Sequence, residues 1–142
     1  YQRIYCWEEN NVKCLLDEVF EHISADNKAP YRLGTIILHS HDNKYDIIDG
    51  QQRLVTLALL LSEIGVKTGL LNEQFTSQRS IDYIAYNKHI IHEYVQRHLN
   101  TYDYAEKLDF HHRIRFGKNA QTVFLAKTGR DRFFKYLLTI GN

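Results

Sequence analysis

The chain reads as an α+β fold with a small mixed sheet and packed helices. Apolar residues recur at helical spacing in two stretches of the first half, Val12–Ile23 and Leu54–Ile64. Between them lie two β-rich runs, Tyr31–Leu38 and Tyr45–Ile48, separated by polar turn residues. After them comes a long helical stretch and then a series of short apolar runs. At 142 residues the chain suffices for one domain with its own core. No linker or internal repeat divides it. The expected organisation is a single domain over 1–142, with a motif-bearing core in 1–70 and an added C-terminal half in 71–142 that is mainly helical. The chain opens inside its first motif, so it reads as a piece of a longer protein.

Each element has a local reason. Asn10 or Asn11 suits an N-cap, and Val12, Leu15, Leu16, Val19, Phe20 and Ile23 then follow the i, i+3, i+4, i+7 stripe. The polar run Ser24–Pro30 ends that helix. In the Tyr31–Leu38 strand, Gly34 signals a bulge or a close approach of another group. His41-Asp42-Asn43-Lys44 makes a turn, so Tyr45–Ile48 is the hairpin partner. Leu54, Leu57, Ala58, Leu61 and Ile64 give the second helix its buried face, and Gly65 and Gly69 bracket its end. Gln78–Leu99 is the long helix, with Ile84, Ile91, Val95 and Leu99 on one face. Arg113–Phe116 and Thr122–Ala126 resemble two short strands around Gly117-Lys118-Asn119, a possible short hairpin. Phe133, Phe134, Leu137 and Leu138 predict a final helix.

The most informative stretch is Asp46-Ile47-Ile48-Asp49-Gly50-Gln51-Gln52-Arg53-Leu54, where a strand runs through one glycine into an apolar helix. The first turn of a helix has N–H groups without intrahelical partners, and the helix dipole adds positive charge there, so anions bind readily. Gly50 permits a sharp bend. Gln51 and Gln52 add amides, and Arg53 adds a planar cation suited to phosphate. Asp49 is the one acid of the turn, placed to orient a water or hold a metal. The pattern is neither the P-loop nor the dinucleotide glycine motif. On these residues alone, a plain strand–turn–helix with polar capping residues competes evenly with a phosphate site.

A resemblance shifts that balance. Asp49-Gly50-Gln51-Gln52-Arg53 before an apolar helix resembles the signature of the GmrS-type domain of GmrSD restriction systems. Tyr1-Gln2-Arg3-Ile4-Tyr5-Cys6-Trp7, Leu15-Leu16-Asp17-Glu18-Val19 and Tyr31-Arg32-Leu33-Gly34-Thr35-Ile36-Ile37-Leu38 are similar to that family's other blocks, in order. Arg130-Asp131-Arg132-Phe133-Phe134 resembles a later one. Val55, Ile4 and Arg32 depart from the usual Thr, Pro and aromatic. The family is itself similar to the ParB/sulfiredoxin-like fold, in which a Gly-Glu-Arg-Arg turn grips nucleotide phosphates. The resemblance therefore implies a ParB-like core and a nucleoside triphosphatase that regulates restriction of foreign, modified DNA in phage defence. It implies an NTP with Mg²⁺ as ligand. Cutting would fall to a His-Asn-His-type nuclease domain or subunit absent from this chain. Asp49 and Arg53 would be catalytic, with Asp49 also touching Mg²⁺. Gln2, Arg3, Gly50, Gln51, Gln52, Arg53 and Thr56 would bind the nucleotide. The competing readings are a non-enzymatic DNA- or phosphate-binding module and a ParB-like nuclease.

Composition narrows the setting. Residues 1–71 hold 7 basic and 10 acidic side chains, and 72–142 hold 11 and 7, so charge moves from −3 to +4 along the chain. Arg113, Arg115, Lys118, Lys127, Arg130, Arg132 and Lys135 form a late basic cluster that suits DNA, or more simply a solvated face. Cys6 and Cys14 match no disulfide or zinc framework and suggest reduced thiols in a cytoplasmic setting. No membrane span is visible. Ten tyrosines mostly serve packing. His89-Ile90-Ile91-His92-Glu93 has metal-like residues, but a polar helix face explains it better because zinc wants three or four ligands. His39 and His41 share a strand face, and His39 either faces solvent or points toward the Asp49 turn. A missing first strand would leave a sheet edge exposed and open the way to a homo-oligomer.

Overall fold

The computed structural model describes residues 3–24, 31–65, 69–72, 75–99, 114–116, 121–125 and 132–140. Its elements run α1 (Glu9–Ser24), β1 (Tyr31–His41), β2 (Lys44–Asp49), α2 (Gln51–Glu63), a 3-10 turn (Gly69–Asn72), α3 (Gln78–Leu99), β3 (Ile114–Phe116), β4 (Gln121–Leu125) and β5 (Arg132–Ile140). The α+β class holds. All strand pairings described are antiparallel, so the sheet is not mixed.

Helix α1 starts earlier than the asparagines suggest. Its first backbone bond runs from Val12 N–H to the Glu8 carbonyl, which makes Glu8 the cap. Asn11 then lies in the first turn, and its Oδ1 accepts from Glu8 N–H at 3.1 Å. That is the reach-back half of a capping box. Val12, Leu15, Leu16, Val19 and Phe20 are buried, as the stripe requires.

The β1–β2 hairpin closes through Asp42 and Asn43, whose φ values are 45° and 58°. Two consecutive residues with positive φ match strand twist in a two-residue loop, and Asp and Asn tolerate that region well. Register pairs His39 with Asp46 and Ile37 with Asp49. Strand β1 also pairs with β5 along Tyr31–Ser40, with an irregularity between Arg32 and Gly34, the bulge that Gly34 signals.

Two expectations for the C-terminal half are corrected. The run Arg132–Ile140 is a strand rather than a helix. A short apolar run does not distinguish the two by periodicity, and here pairing with β1 decides it. Strands β3 and β4 exist close to their expected positions but do not form a hairpin with each other. Each pairs with β5, at its two ends: β3 with Leu138–Ile140 and β4 with Arg132–Lys135. Among the described residues, the added half is α-helical through α3, whose bounds agree with the sequence reading.

Helices α1, α2 and α3 pack together. Leu16, Val19, Val55, Leu60, Ile91 and Ile36 of β1 are almost fully buried in one cluster. Gly65, at φ 88°, closes α2 in the left-handed region. No helix among the described residues is long and apolar enough to cross a membrane.

Candidate functional site

Strand β2 ends at Asp49, Gly50 turns the chain, and α2 begins at Gln51. Gly50 has φ 88°, and a Cβ there would stand 2.8 Å from the Thr35 carbonyl oxygen of β1. The position thus requires glycine both for its torsion and for the strand pressed against it. The first helical bond is Leu54 N–H to Gly50 carbonyl at 3.0 Å. Gly50, the N-cap, has no side chain with which to cap the helix start. The N–H groups of Gln51, Gln52 and Arg53 precede that first bond, so helix geometry gives them no partner within α2.

The two glutamines do something the sequence reading did not foresee. Gln51 is buried; its Oε1 accepts from Arg3 N–H at 3.1 Å and its Nε2 donates to the Arg3 carbonyl at 2.5 Å. Gln52 accepts from Cys6 N–H at 2.8 Å and donates to the Ile4 carbonyl at 2.9 Å. Their amides hold the N-terminal segment against the helix start and are occupied there.

Arg53 turns its guanidinium back toward β1. A Cβ on Gly34 would overlap Arg53 Nη1 and lie 3.1 Å from Cζ, so the absence of a side chain at Gly34 makes room for the cation. The other face looks toward Trp7, with Cζ 6.0 Å from the ring centroid, at the outer range of a cation–π contact. Arg53 Nε is buried and has no hydrogen-bond partner among the described residues. An orphaned buried donor on a charged group is costly, and such atoms in native sites call for an explanation such as a ligand.

These residues line a cleft of about 350 Å³ with Arg3, Ile4, Cys6, Trp7, Ile48 and Asp49. Arg3 and Asp49 are both exposed. The structure therefore brings together Arg3, Asp49, Gly50, Gln51, Gln52 and Arg53. Gln2 lies outside the described residues. Thr56 is fully buried, away from the cleft lining. Its Oγ1 donates to the Gln52 carbonyl at 2.8 Å, which leaves the Tyr5 hydroxyl to donate to Thr56 at 2.8 Å. Asn87 Nδ2 donates to Tyr5 Oη at 3.0 Å and to the Trp7 carbonyl at 2.7 Å. Ser80 Oγ accepts from Tyr5 N–H at 2.9 Å. Burial raises the Tyr5 pKa, opposed by its hydrogen bonds to Thr56 and Asn87. This buried network fixes the segment that carries Arg3 and Trp7. Sequence reasoning missed Asn87 and Ser80 because each is one polar residue among many on a long helix, with partners about 75 or more positions away.

A donor set of this kind fits a polyphosphate. It offers a cation, a helix N-terminus and a second arginine around two positions where glycine alone fits. One exposed carboxylate at its rim suits a Mg²⁺ that keeps waters and phosphate oxygens as its other ligands. His39 is not in the cleft lining. His92 Nδ1 lies 2.5 Å from Glu63 Oε1 and His89 Nε2 lies 3.4 Å from Glu93 Oε1, so those histidines pair with acids. The side chains of the late basic cluster lie outside the described residues.

The family model of the GmrSD restriction endonuclease N-terminal domain matches residues 1–139. The chain belongs to this family. Comparison with curated proteins gives no match, nor does comparison with solved structures. Membership in the GmrSD family makes the chain a component of a restriction, phage-defence system. The family match spans the residues of both the cleft and the C-terminal strands.

Proposed function

We propose that this GmrSD N-terminal domain binds and hydrolyses a nucleoside triphosphate, and that this controls restriction of foreign, modified DNA in phage defence. The observation that carries the reading is the buried Arg53 Nε, without a partner among the described residues, beside a cleft closed by the start of α2. The substrate is the magnesium complex of the nucleotide. The N–H groups of Gln51, Gln52 and Arg53 cradle phosphate oxygens, and Gly50 keeps the backbone close to them. Arg53 and Arg3 neutralise charge that spreads over the transferred phosphoryl group. Asp49 accepts a proton from the attacking water, or holds it in line. The turn then plays the part that the Gly-Glu-Arg-Arg turn plays in ParB/sulfiredoxin-like folds. Nuclease action belongs to a His-Asn-His-type partner domain or subunit, in the cytoplasm where foreign DNA arrives.

The test is calorimetry with each of the four NTPs and Mg²⁺, alongside release of inorganic phosphate. Binding in the micromolar to millimolar range is expected, about −4 to −8 kcal/mol. Arg53→Ala loses at least tenfold in affinity, while Asp49→Asn keeps binding and loses turnover. Heat without phosphate release would instead favour a non-enzymatic phosphate-binding module. No heat with any NTP ends the proposal.

A further inference from the structure

The hairpin carries a second group of chemistry-bearing side chains, apart from the cleft. His39 and His41 lie two residues apart on β1, and Asp46 stands opposite His39 on β2. Alternation along a strand puts His39 and His41 on one face. Their rings stack with centroids 4.9 Å apart. His41 Nε2 meets Asp46 Oδ2 at 2.6 Å. One ligand atom from each of the three residues falls within 4.8 Å of the other two. None of the three lines the cleft. Asp46 lies three residues before Asp49, about 10 Å along an extended strand.

We propose that His39, His41 and Asp46 form a binding site for one late first-row divalent cation, Zn²⁺ foremost. Imidazole and carboxylate together suit that class of metal. Three protein ligands leave a fourth tetrahedral position for water or another donor. With metal–ligand bonds of about 2.0–2.1 Å, ligand atoms around a tetrahedral zinc stand about 3.3 Å apart. The His41–Asp46 contact therefore opens by less than about 1 Å, and the widest pair closes by about 1.5 Å, both within reach of side-chain rotation.

The surroundings agree. His41 presents Nε2 to Asp46, while its Nδ1 faces the Asp42 carboxylate at 3.9 Å. A carboxylate behind a ligating imidazole orients the ring and raises its basicity. Hydrogen bonding from His41, with a smaller effect of burial against it, holds the Asp46 carboxyl below its ordinary range, so it is an anion at neutral pH. His41 and Asp46 side chains are 31% and 37% exposed, which gives an ion a path in. The left-handed Asp42-Asn43 turn fixes the hairpin register on which the constellation depends. Because the ligands come from both strands, a bound ion clips β1 to β2 and stabilises the folded chain by mass action.

The exposed thiols of Cys6 and Cys14 also attract zinc, so the test uses a Cys6→Ser/Cys14→Ser background. Zn²⁺ is titrated into metal-free protein by calorimetry, and Co²⁺ is added as a visible-light reporter of tetrahedral geometry. One ion per chain, tetrahedral Co²⁺ absorption and a rise in Tm with Zn²⁺ are expected. His39→Ala, His41→Ala and Asp46→Asn should each weaken binding at least tenfold. Asp46→Asn keeps side-chain shape, so it reports on ligation even if a histidine variant folds poorly. His89→Ala and His92→Ala should bind as the parent does. Absence of binding in the folded parent, or binding that survives all three hairpin variants, overturns the site. Binding that disappears with the cysteines alone does the same.

Discussion

A single buried amide holds together more of this molecule than its place in the sequence suggests. Asn87 is fully buried and donates both to the Tyr5 hydroxyl and to the Trp7 carbonyl, while its own Oδ1 has no partner among the described residues. Asn87→Ala strands an acceptor on Trp7 and empties a pocket between helices. A loss of about 2–3 kcal/mol is expected from urea denaturation. A loss below about 0.5 kcal/mol would mean that the network is not structural. Tyr5, at the centre of that network, gives a pH signature. Burial lifts its pKa above the model-peptide value of 10.0, and burial with the Asp17 hydrogen bond does the same for Tyr94. A raised folded pKa means that the unfolded chain loses its protons first. Stability is therefore undiminished below pH of about 10 and falls as pH climbs beyond it. Tyr5→Phe, made together with Tyr94→Phe, should flatten that alkaline decline in a denaturation series between neutral pH and pH of about 11.

The elements separate what could be read in the sequence from what could not. Both helices α1 and α3, the hairpin and the start of α2 follow from periodicity, turn residues and glycine. Gly50 and Gly65 give a clean experiment because both sit at φ 88°. A Cβ on Gly65 meets nothing within 4 Å among the described residues, whereas one on Gly50 meets backbone at 2.8 Å. Gly65→Ala should therefore cost only the left-handed torsion, roughly 1–2 kcal/mol. Gly50→Ala should cost clearly more, and equal values by chemical denaturation would refute the close contact with β1. The strand β5 was illegible for a physical reason. Phe133-Phe134 and Leu137-Leu138 place apolar pairs at positions that a helix face and a strand buried on both faces accommodate alike. Its identity depends on β1, roughly a hundred residues earlier, which local pattern does not contain. The cleft was legible in position but not in detail. Arg53, Gly50 and Asp49 stood out by type, while the engagement of Gln51 and Gln52 with Arg3, Ile4 and Cys6 depends on a fold that joins distant segments.

At the level of the whole molecule, β5 ties the two halves of the chain together. It pairs with β1 on one edge and with β3 and β4 on the other. Ending the chain after Leu125 removes that strand and bares the β1 edge along most of its length. Such an edge is a template for pairing with another chain. The shortened protein should elute as dimers or larger species in size-exclusion chromatography with light scattering, and a stable monomer would show that β5 is dispensable. The opposite end of the chain is governed by the two glutamines. Each amide presents one donor and one acceptor side by side, as a peptide group does. The first turn of α2 thereby acts toward residues 3–6 as a neighbouring strand would, and it reads them in register. A slip by one residue would turn Arg3 out of the cleft and withdraw the Tyr5 ring from the core. Arg3 thus reaches the cleft through an address written 48 residues away. Part of the Asp-Gly-Gln-Gln-Arg signature is a lock that the chain's own N-terminal segment fills.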